Sequence, residues 1–310
     1  MNSKIECTFI FIPVIPNFIK DALESLYKYT PINFRVIVVD QTVDGIYDVV
    51  KDRADLYLRF KRTNQGFSKA NNEGIIHALH WGSKYIAVCN DDILILDPRF
   101  WSGLMDQFQA FPEMYAVNPC SIIEAGWGYG LRPDGTWVPG NRCPDWGIAV
   151  DGNIYPKKPD GTAFTLKDAQ TKEGYDWLLN GYKQGHIEGF AGWFVVGKRE
   201  MWENIGLYDE RFYPGSGEDY NLVHRIYLDG GRASSTTRSW VHHFWTKSKE
   251  ALARGERLPS LSRPSFANVD ALFERSPDGA NSPIYPPREN EPFGNKRKLK
   301  SNGIFIDDPR

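Results

Sequence analysis

The four cysteines, Cys7, Cys89, Cys120 and Cys143, are scattered, and no two form a C-x-x-C pair. That spacing excludes a zinc knuckle and a disulfide scaffold. A dominant charge is also lacking. A formal net charge of −2 over 310 residues gives no bulk attraction to nucleic acid or to an anionic membrane. No apolar run approaches the length of about 20 residues that crosses a bilayer. The N-terminal stretch MNSKIECTFIFIPVIPNFIK is apolar but short, and Pro13 and Pro16 interrupt it; it reads as a first strand, not as a signal peptide. No N-x-S/T acceptor occurs. A cytoplasmic, reducing location without a membrane span is the expectation. A G-x-G-x-x-G after the first strand is missing too, which disfavours a dinucleotide fold of the usual kind.

What is present is ordinary in bulk and unusual in detail. Apolar residues make up 41% and charged residues 25%, as in a soluble globular protein. The length suits one large domain, or one domain with a smaller appendage. Aromatic content is 14%, with 10 tryptophans. Such a supply serves flat ligands such as sugars or bases, and it also fills cores.

The chain is organised around Lys84 to Leu96, KYIAVCNDDILIL. The run Tyr85 to Cys89 is short, β-branched and aromatic, and reads as a buried strand. It stops at Asn90-Asp91-Asp92. Two adjacent carboxylates at a strand end repel each other and need solvent or a bound cation. In open α/β sheets, ligands gather at the carboxyl ends of strands. Asp91 and Asp92 are therefore read as a metal-and-nucleotide corner, with a solvated turn as the plain alternative.

Upstream, Thr8 to Val14 reads as a strand. Asn17 is placed to cap a helix with its stripe at Ile19, Leu23, Leu26 and Tyr27. Phe34 to Val39 is a second buried strand, and it ends at Asp40. A carboxylate there suits a base or ribose, or equally a helix cap. A third strand is expected near Asp55 to Phe60. In RTNQGFSKANNEG, Gly66 permits a turn and Ser68 is placed as a cap. Phe67, Ala70, Gly74 and Ala78 then make one narrow helix face. Asp97-Pro98 opens another helix, with Trp101, Leu104, Met105 and Phe108 inward. The β-α alternation predicts a parallel, doubly wound sheet.

From Cys120 to about Glu188 the texture becomes turn-rich and aromatic, without helical period. Trp127, Tyr129, Trp137 and Trp146 lie in this insertion. It reads as a lid or acceptor platform, or as a satellite cluster that packs the loop down. Gly192 to Arg199 mimics a phosphate loop. Its middle residues, Trp193 to Val196, are strand-like, and Arg199 replaces the magnesium-binding hydroxyl, so the motif is rejected. Gly217-Glu218-Asp219 then heads a helix with its stripe at Leu222, Val223, Ile226 and Tyr227. Acidic residues suit a helix N-terminus in any case.

Four blocks in order now resemble one family. They are VVDQTVDG, containing Asp40; Asn64-x-Gly66-Phe67-x-x-Ala70-x-Asn72-x-Gly74; Asn90-Asp91-Asp92; and IGLYDERF to Glu218-Asp219, followed by His243. The chain resembles the GT-A glycosyltransferases of the family 2 type, over roughly residues 8 to 248. The resemblance implies an α/β GT-A fold: a Rossmann-like, mostly parallel central sheet flanked by helices. The domain would span 1–248, with residues 120–190 as the aromatic acceptor or lid insertion and 249–310 as a C-terminal extension. It implies an inverting, metal-dependent transfer of one sugar from a nucleotide-sugar, a UDP-sugar above all, to a glycan or glycoconjugate acceptor. Asp219 would be the base, with Glu218 beside it. Asp40, Asn64, Gly66, Asn72, Asn90, Asp91 and Trp193 would bind the nucleotide-sugar. Asp92 and His243 would hold Mn²⁺ or Mg²⁺, with His242 as the alternative to His243.

The chemistry fits those residue types independently. A diphosphate leaving group needs neutralising charge. An acceptor hydroxyl needs one carboxylate as base, worth about 10²–10⁴-fold. The chain departs from processive members, which carry Q-x-x-R-W and membrane helices. Asn90 also replaces the first Asp of a strict D-x-D. The basic run NKRKLK, residues 295–300, keeps a hydroxylated base in DNA as an alternative acceptor. A non-catalytic nucleotide- or glycan-binding module and a nucleotidyltransferase are the rival classes. The second lacks its Gly-rich basic loop here.

Overall fold

The structure is a computed structural model. It describes residues 5–60, 63–122, 153–181, 186–215 and 217–244, with the backbone of short strands at 129–131, 137–139, 147–150, 260–261, 298–299 and 305–306. Trp127, Trp146, the side chains of Tyr129 and Trp137, the side chains of the basic run 295–300 and most of 249–310 lie outside the described residues.

The first half alternates strand and helix. Strand β1 (Cys7–Phe11) leads to α1 (Ile19–Tyr29), β2 (Phe34–Asp40), a single-turn α2 (Tyr47–Val50) and β3 (Leu56–Arg59). A two-residue β4 (Thr63–Asn64) precedes α3 (Phe67–His80) and β5 (Tyr85–Cys89). Then come β6 (Ile93–Ile95), α4 (Arg99–Ala110) and β7 (Met114–Ser121). Two hairpins follow, β8 (Tyr129–Leu131) with β9 (Trp137–Pro139), and β10 (Gly147–Val150) with β11 (Asn153–Pro156). Helices α5 (Leu166–Ala169) and α6 (Lys172–Gly181) complete the insertion. The last part runs through β12 (His186–Glu188), β13 (Phe194–Lys198), α7 (Arg199–Asn204), α8 (Glu218–Leu228) and β14 (Arg232–His243).

Nine strands form one sheet, ordered β12-β14-β7-β13-β5-β1-β2-β3, with β6 alongside β14. The stretch β5-β1-β2-β3 is parallel, as the β-α alternation predicts. Beyond β5 the sheet is mixed. Strand β13 runs antiparallel between β5 and β7, β14 runs parallel to β7, and β12 and β6 run antiparallel to β14.

Two cores sandwich the sheet, and period-2 alternation sorts each strand between them. Phe9, Val36, Val38, Cys89 and Phe194 face α1 and α4. Ile10, Ile37, Val39, Val88 and Val195 face α3, α7 and α8. Strands this apolar on both sides must be covered on both faces. The small face of α3 has its purpose here. A Cβ on Gly74 would stand 2.4 Å from Ile10 Cγ2, so the helix lies directly on β1.

Local details differ from the expectation. The N-cap of α1 is Phe18, not Asn17, and that of α3 is Gly66, with φ +85°, so Ser68 is a buried helical residue. Tyr227 is 40% exposed and is not part of the buried stripe of α8, which Leu222 and Ile226 form with Asn221 and Arg225. The insertion carries a helix that its composition hid. α6 packs Tyr175 and Leu178, with Phe164, against Leu96, Cys120 and Trp240, and Phe164 stacks on Trp177 at 4.6 Å. Over these residues the satellite-cluster reading describes the packing. Among the described residues, no helix is long and apolar enough to cross a membrane.

Candidate active site

The carboxyl ends of β1, β2 and β5 open on the same edge of the sheet, next to the start of β13. There the chain leaves a pocket of about 580 Å³. That volume lies within the range of small-molecule sites. Ile12, Gln41 and Asn90, each just beyond a parallel strand, contribute to its wall. So the fold itself, through its strand direction, places the site.

On one side stands the acidic corner. Asp91 and Asp92 follow β5 and line the pocket with Asn90, Trp193 and His243. His243 Nε2 lies 3.1 Å from Asp92 Oδ1 and 3.2 Å from Asn90 Nδ2. Trp193 covers the imidazole face. The Asn90 N–H donates to the Trp193 carbonyl at 2.8 Å, which locks the end of β5 to the start of β13. The Asp91 carboxyl is pushed up to about 8, first by burial and then by the charge of Asp92. Its Oδ2 is buried and has no hydrogen-bond partner among the described residues. Crowding of two carboxyl groups in a buried corner favours the neutral form of one of them. His243, not His242, reaches the wall; His242 sits edge-on against Phe244, with ring centroids 4.3 Å apart.

Another part of the wall is carried by α8. Glu218 and Asp219 occupy its first turn and both line the pocket. Asp219 accepts the Gly192 N–H at 3.0 Å and the Tyr220 N–H at 2.8 Å. Part of its side chain meets the pocket, yet the protein packed around it raises its pKa by desolvation, against the pull of those backbone N–H groups. Such a carboxylate is a stronger base than a solvated one.

Three of the four remaining expected residues stand behind the wall. Asp40 is fully buried and spent on its own loop. It accepts N–H groups from Thr42 at 2.7 Å and Ile46 at 3.1 Å, and the Tyr57 hydroxyl donates to it. Burial and then that bond push Tyr57 up to about 12. Arg59 Nε stands 3.6 Å from the same carboxylate. Asn72 is likewise buried. It accepts the Tyr208 N–H at 3.0 Å and donates to the Tyr208 carbonyl at 2.9 Å, and its amide also reaches Glu210. At Gly66, a Cβ would meet the Tyr213 ring at 2.8 Å and the Pro214 carbonyl at 2.9 Å. These positions shape the pocket and do not face it. Asn64, of the second block, lines the pocket and accepts a bond at its carbonyl from the Tyr213 hydroxyl at 2.8 Å.

Two sequence blocks thus prove to be one clamp. Residues 205–214 are held from α3 by Asn72, and the Phe67 N–H donates to the Pro214 carbonyl. From α8, Arg225 donates to the carbonyls of Ile205 and Leu207 at 2.9 and 2.8 Å. The clamp delivers α8, and so Asp219, to the pocket. Sequence reasoning missed Gln41, Phe18, Phe67 and Gly192 as wall residues. Gln41 directly follows Asp40, and its position one residue past a strand end was a usable signal.

The arrangement of a carboxylate corner at a strand end, facing a helix-borne carboxylate across one pocket, agrees with the match to known proteins. Residues 10–166, half of the chain, match the family described as Glycosyl transferase family 2. The chain belongs to glycosyl transferase family 2. No curated protein matches it. Among solved structures, one similar chain is GalNAc-T7 with UDP, GalNAc and Mn²⁺. It has a TM-score of 0.53 and 13% identity, over 88% of this chain and 49% of that one. Another is S. aureus TarS 1–349 in complex with UDP, with a TM-score of 0.46 and 13% identity, over 76% of this chain and 59% of that one. This chain therefore spans about half the length of GalNAc-T7. At that identity the likeness shows the fold, and it is the GT-A fold of this family 2 member.

Proposed function

We propose that this family 2 protein is an inverting, metal-dependent glycosyltransferase. It moves one sugar from a nucleotide-sugar, a UDP-sugar above all, to a hydroxyl of a glycan or glycoconjugate. The observation that carries the reading is the shared pocket: Asp92 with His243, and Asp219 from α8, line the same cavity.

Asp92 and His243 would hold a divalent cation, Mn²⁺ or Mg²⁺, which supplies positive charge for the diphosphate leaving group when bound. The corner fits such an ion by its chemistry: two adjacent carboxyl groups meet there, and Asp91 Oδ2 is buried with no hydrogen-bond partner among the described residues. Among the described residues no three His, Cys, Asp or Glu side chains form a ligand group alone. That suits an ion whose remaining ligands are substrate phosphates, the usual mode for Mg²⁺-type sites. An imidazole in the set tilts the choice to Mn²⁺.

Asp219 takes the acceptor proton as the hydroxyl attacks. Backbone N–H bonds fix its direction, and a single displacement inverts the anomeric carbon. A second carboxylate nucleophile is not required. Gln41, Asn64 and Phe67 are the wall residues closest in sequence to the family's nucleotide-binding blocks. The catalytic domain spans 1–248 in this reading, and 249–310 is an extension.

The test is donor turnover. Purified protein is incubated with UDP-, GDP- and dTDP-sugars, with Mn²⁺ or with EDTA, and released nucleoside diphosphate is measured. Metal-dependent release from one donor, lost in Asp92→Ala and in Asp219→Asn, is the expected result. Absence of any nucleotide-sugar binding with metal present would leave a non-catalytic module in its place.

A further inference from the structure

Asn118 lies in β7, opposite Ser235 of β14, and is 1% exposed. Its neighbours Ala116 and Val117 belong to the two apolar cores, so a polar side chain here carries a desolvation cost and needs a reason. Its Nδ2 donates to the Ala191 carbonyl at 2.9 Å. Its Oδ1 is buried with no partner among the described residues. The carbonyl of Ala191 also settles which end of the amide faces it, since only the NH₂ end can donate.

The other face of that peptide matters. The carbonyl of Ala191 and the N–H of Gly192 belong to one planar unit, with donor and acceptor pointing in opposite directions. The Gly192 N–H is the one that Asp219 Oδ2 accepts at 3.0 Å. Asn118 and Asp219 therefore grip the two ends of a single peptide group. The approach is close. A Cβ on Gly192 would stand 3.4 Å from both Asp219 Cβ and Phe67 Cζ. A donor bound to the carbonyl polarises the peptide and makes its N–H a better donor.

We propose that Asn118 is a positioning residue for the base, acting through the Ala191–Gly192 peptide to fix the direction and strength of the bond that Asp219 accepts. The inference rests on Asp219 being the base. It adds a residue that belongs to none of the four sequence blocks and that touches neither the donor nor the pocket. Removing the Asn118 donor frees the peptide to tilt. Asp219 then loses part of a bond that favours its ionised form, and its pKa rises. The titratable groups around Asp219 are Glu218 on its own helix, Tyr208 in the preceding loop, and Asp91, Asp92 and His243 in the pocket wall. The substitution leaves all of them in place.

The experiment reads Asp219 directly. Full-length protein with ¹³C-labelled aspartate is titrated by NMR as wild type and as Asn118→Leu, with Asp219→Asn used to assign the resonance and Asp97 as a remote reference. The expected result is an upward move of the Asp219 titration by roughly half a unit to one unit, with Asp97 unmoved. Where turnover is measurable, the acid limb of kcat moves by the same amount while KM for the donor stays within about twofold. An Asp219 titration identical to wild type in folded Asn118→Leu overturns the proposal. If Asn118→Leu does not fold, Asn118→Ala takes its place. If neither folds, Asn118 is a residue of the core alone and the proposal falls. Failure of the base reading looks different: Asp219→Asn would then keep donor turnover, whatever the NMR titration shows.

Discussion

Trp193 lies flat against His243, with ring centroids 4.9 Å apart and planes 10° from parallel. The indole is 7% exposed and the imidazole 3%, so each ring is held by the other and by the sheet. An imidazole that must present Nε2 toward Asp92 gains from having its plane set in advance.

The first prediction concerns that plane. Trp193→Leu keeps an apolar side chain but removes the flat face. Residues that orient a metal ligand typically contribute about 10- to 100-fold in metal affinity. Calorimetry of Mn²⁺ binding in the presence of UDP should show a loss of that size for Trp193→Leu and a smaller one for Trp193→Phe. Equal affinities across the three proteins would mean that the stack does not orient the ligand.

The proposed base, Asp219, predicts a pH dependence. Burial lifts Asp219 above the ordinary carboxylate range, where a solvated aspartate titrates near about 3.9. The active form is ionised, so activity falls as pH drops through the raised value. The acid limb of kcat should therefore sit above that of a solvated aspartate. Asp219→Asn should lower kcat by about 10²–10⁴-fold while UDP binding persists. A limb at the ordinary carboxylate value would contradict the desolvated base.

Asn72 offers a prediction on the clamp. Its amide holds both backbone groups of Tyr208, and it is 1% exposed. Asn72→Ala leaves a buried N–H and a buried carbonyl unpaired, at about 1–3 kcal/mol each. Thermal unfolding should show that loss. Turnover should fall as well, since residues 205–214 carry α8 to the pocket. A variant that loses stability but keeps full kcat would separate the clamp from the base.

Two glycines separate clash from propensity. In a helix interior, alanine is favoured over glycine by about 1 kcal/mol. At Gly103 in α4 a Cβ would stand 2.0 Å from the Arg238 carbonyl oxygen, which is backbone and cannot step aside. At Gly74 the obstacle is the Ile10 side chain. Overpacking costs typically about 1–3 kcal/mol, so both Gly→Ala variants should be destabilised, with Gly103→Ala the worse. A melting temperature for Gly103→Ala at or above that of Gly74→Ala would reverse the order argued from the distances.

Much of this was legible in the sequence because the informative features were local. The run Tyr85 to Cys89, stopped by Asn90-Asp91-Asp92, was read as a buried strand; it is one, and the three residues that stop it line the pocket. The acidic pair at the head of α8 was equally plain. Long-range partnerships were not legible. Asp40 and Asn72 were expected against the donor, yet their partners are Tyr57 on a neighbouring strand and Tyr208, far along the chain. A motif shows which positions matter and not whether they face a ligand or hold the residue that does. The mixed half of the sheet was hidden for a related reason. Strand direction past β5 depends on which strands become neighbours, and no periodicity within β13 or β14 reports that. The helix α6 was obscured by the glycine and aromatic residues around it.

The place of β13 also bears on how this protein is made. Residues 194–198 fill the gap between β5 and β7, both of which precede them in the chain. At about 5–20 residues per second, a ribosome that has finished Ser121 needs roughly 4–15 s to reach Lys198. Throughout that interval β5 and β7 each keep an open, apolar edge, the kind that pairs with the wrong strand. Until β13 and β14 are made, β7 has neither of its sheet neighbours and β5 has only β1.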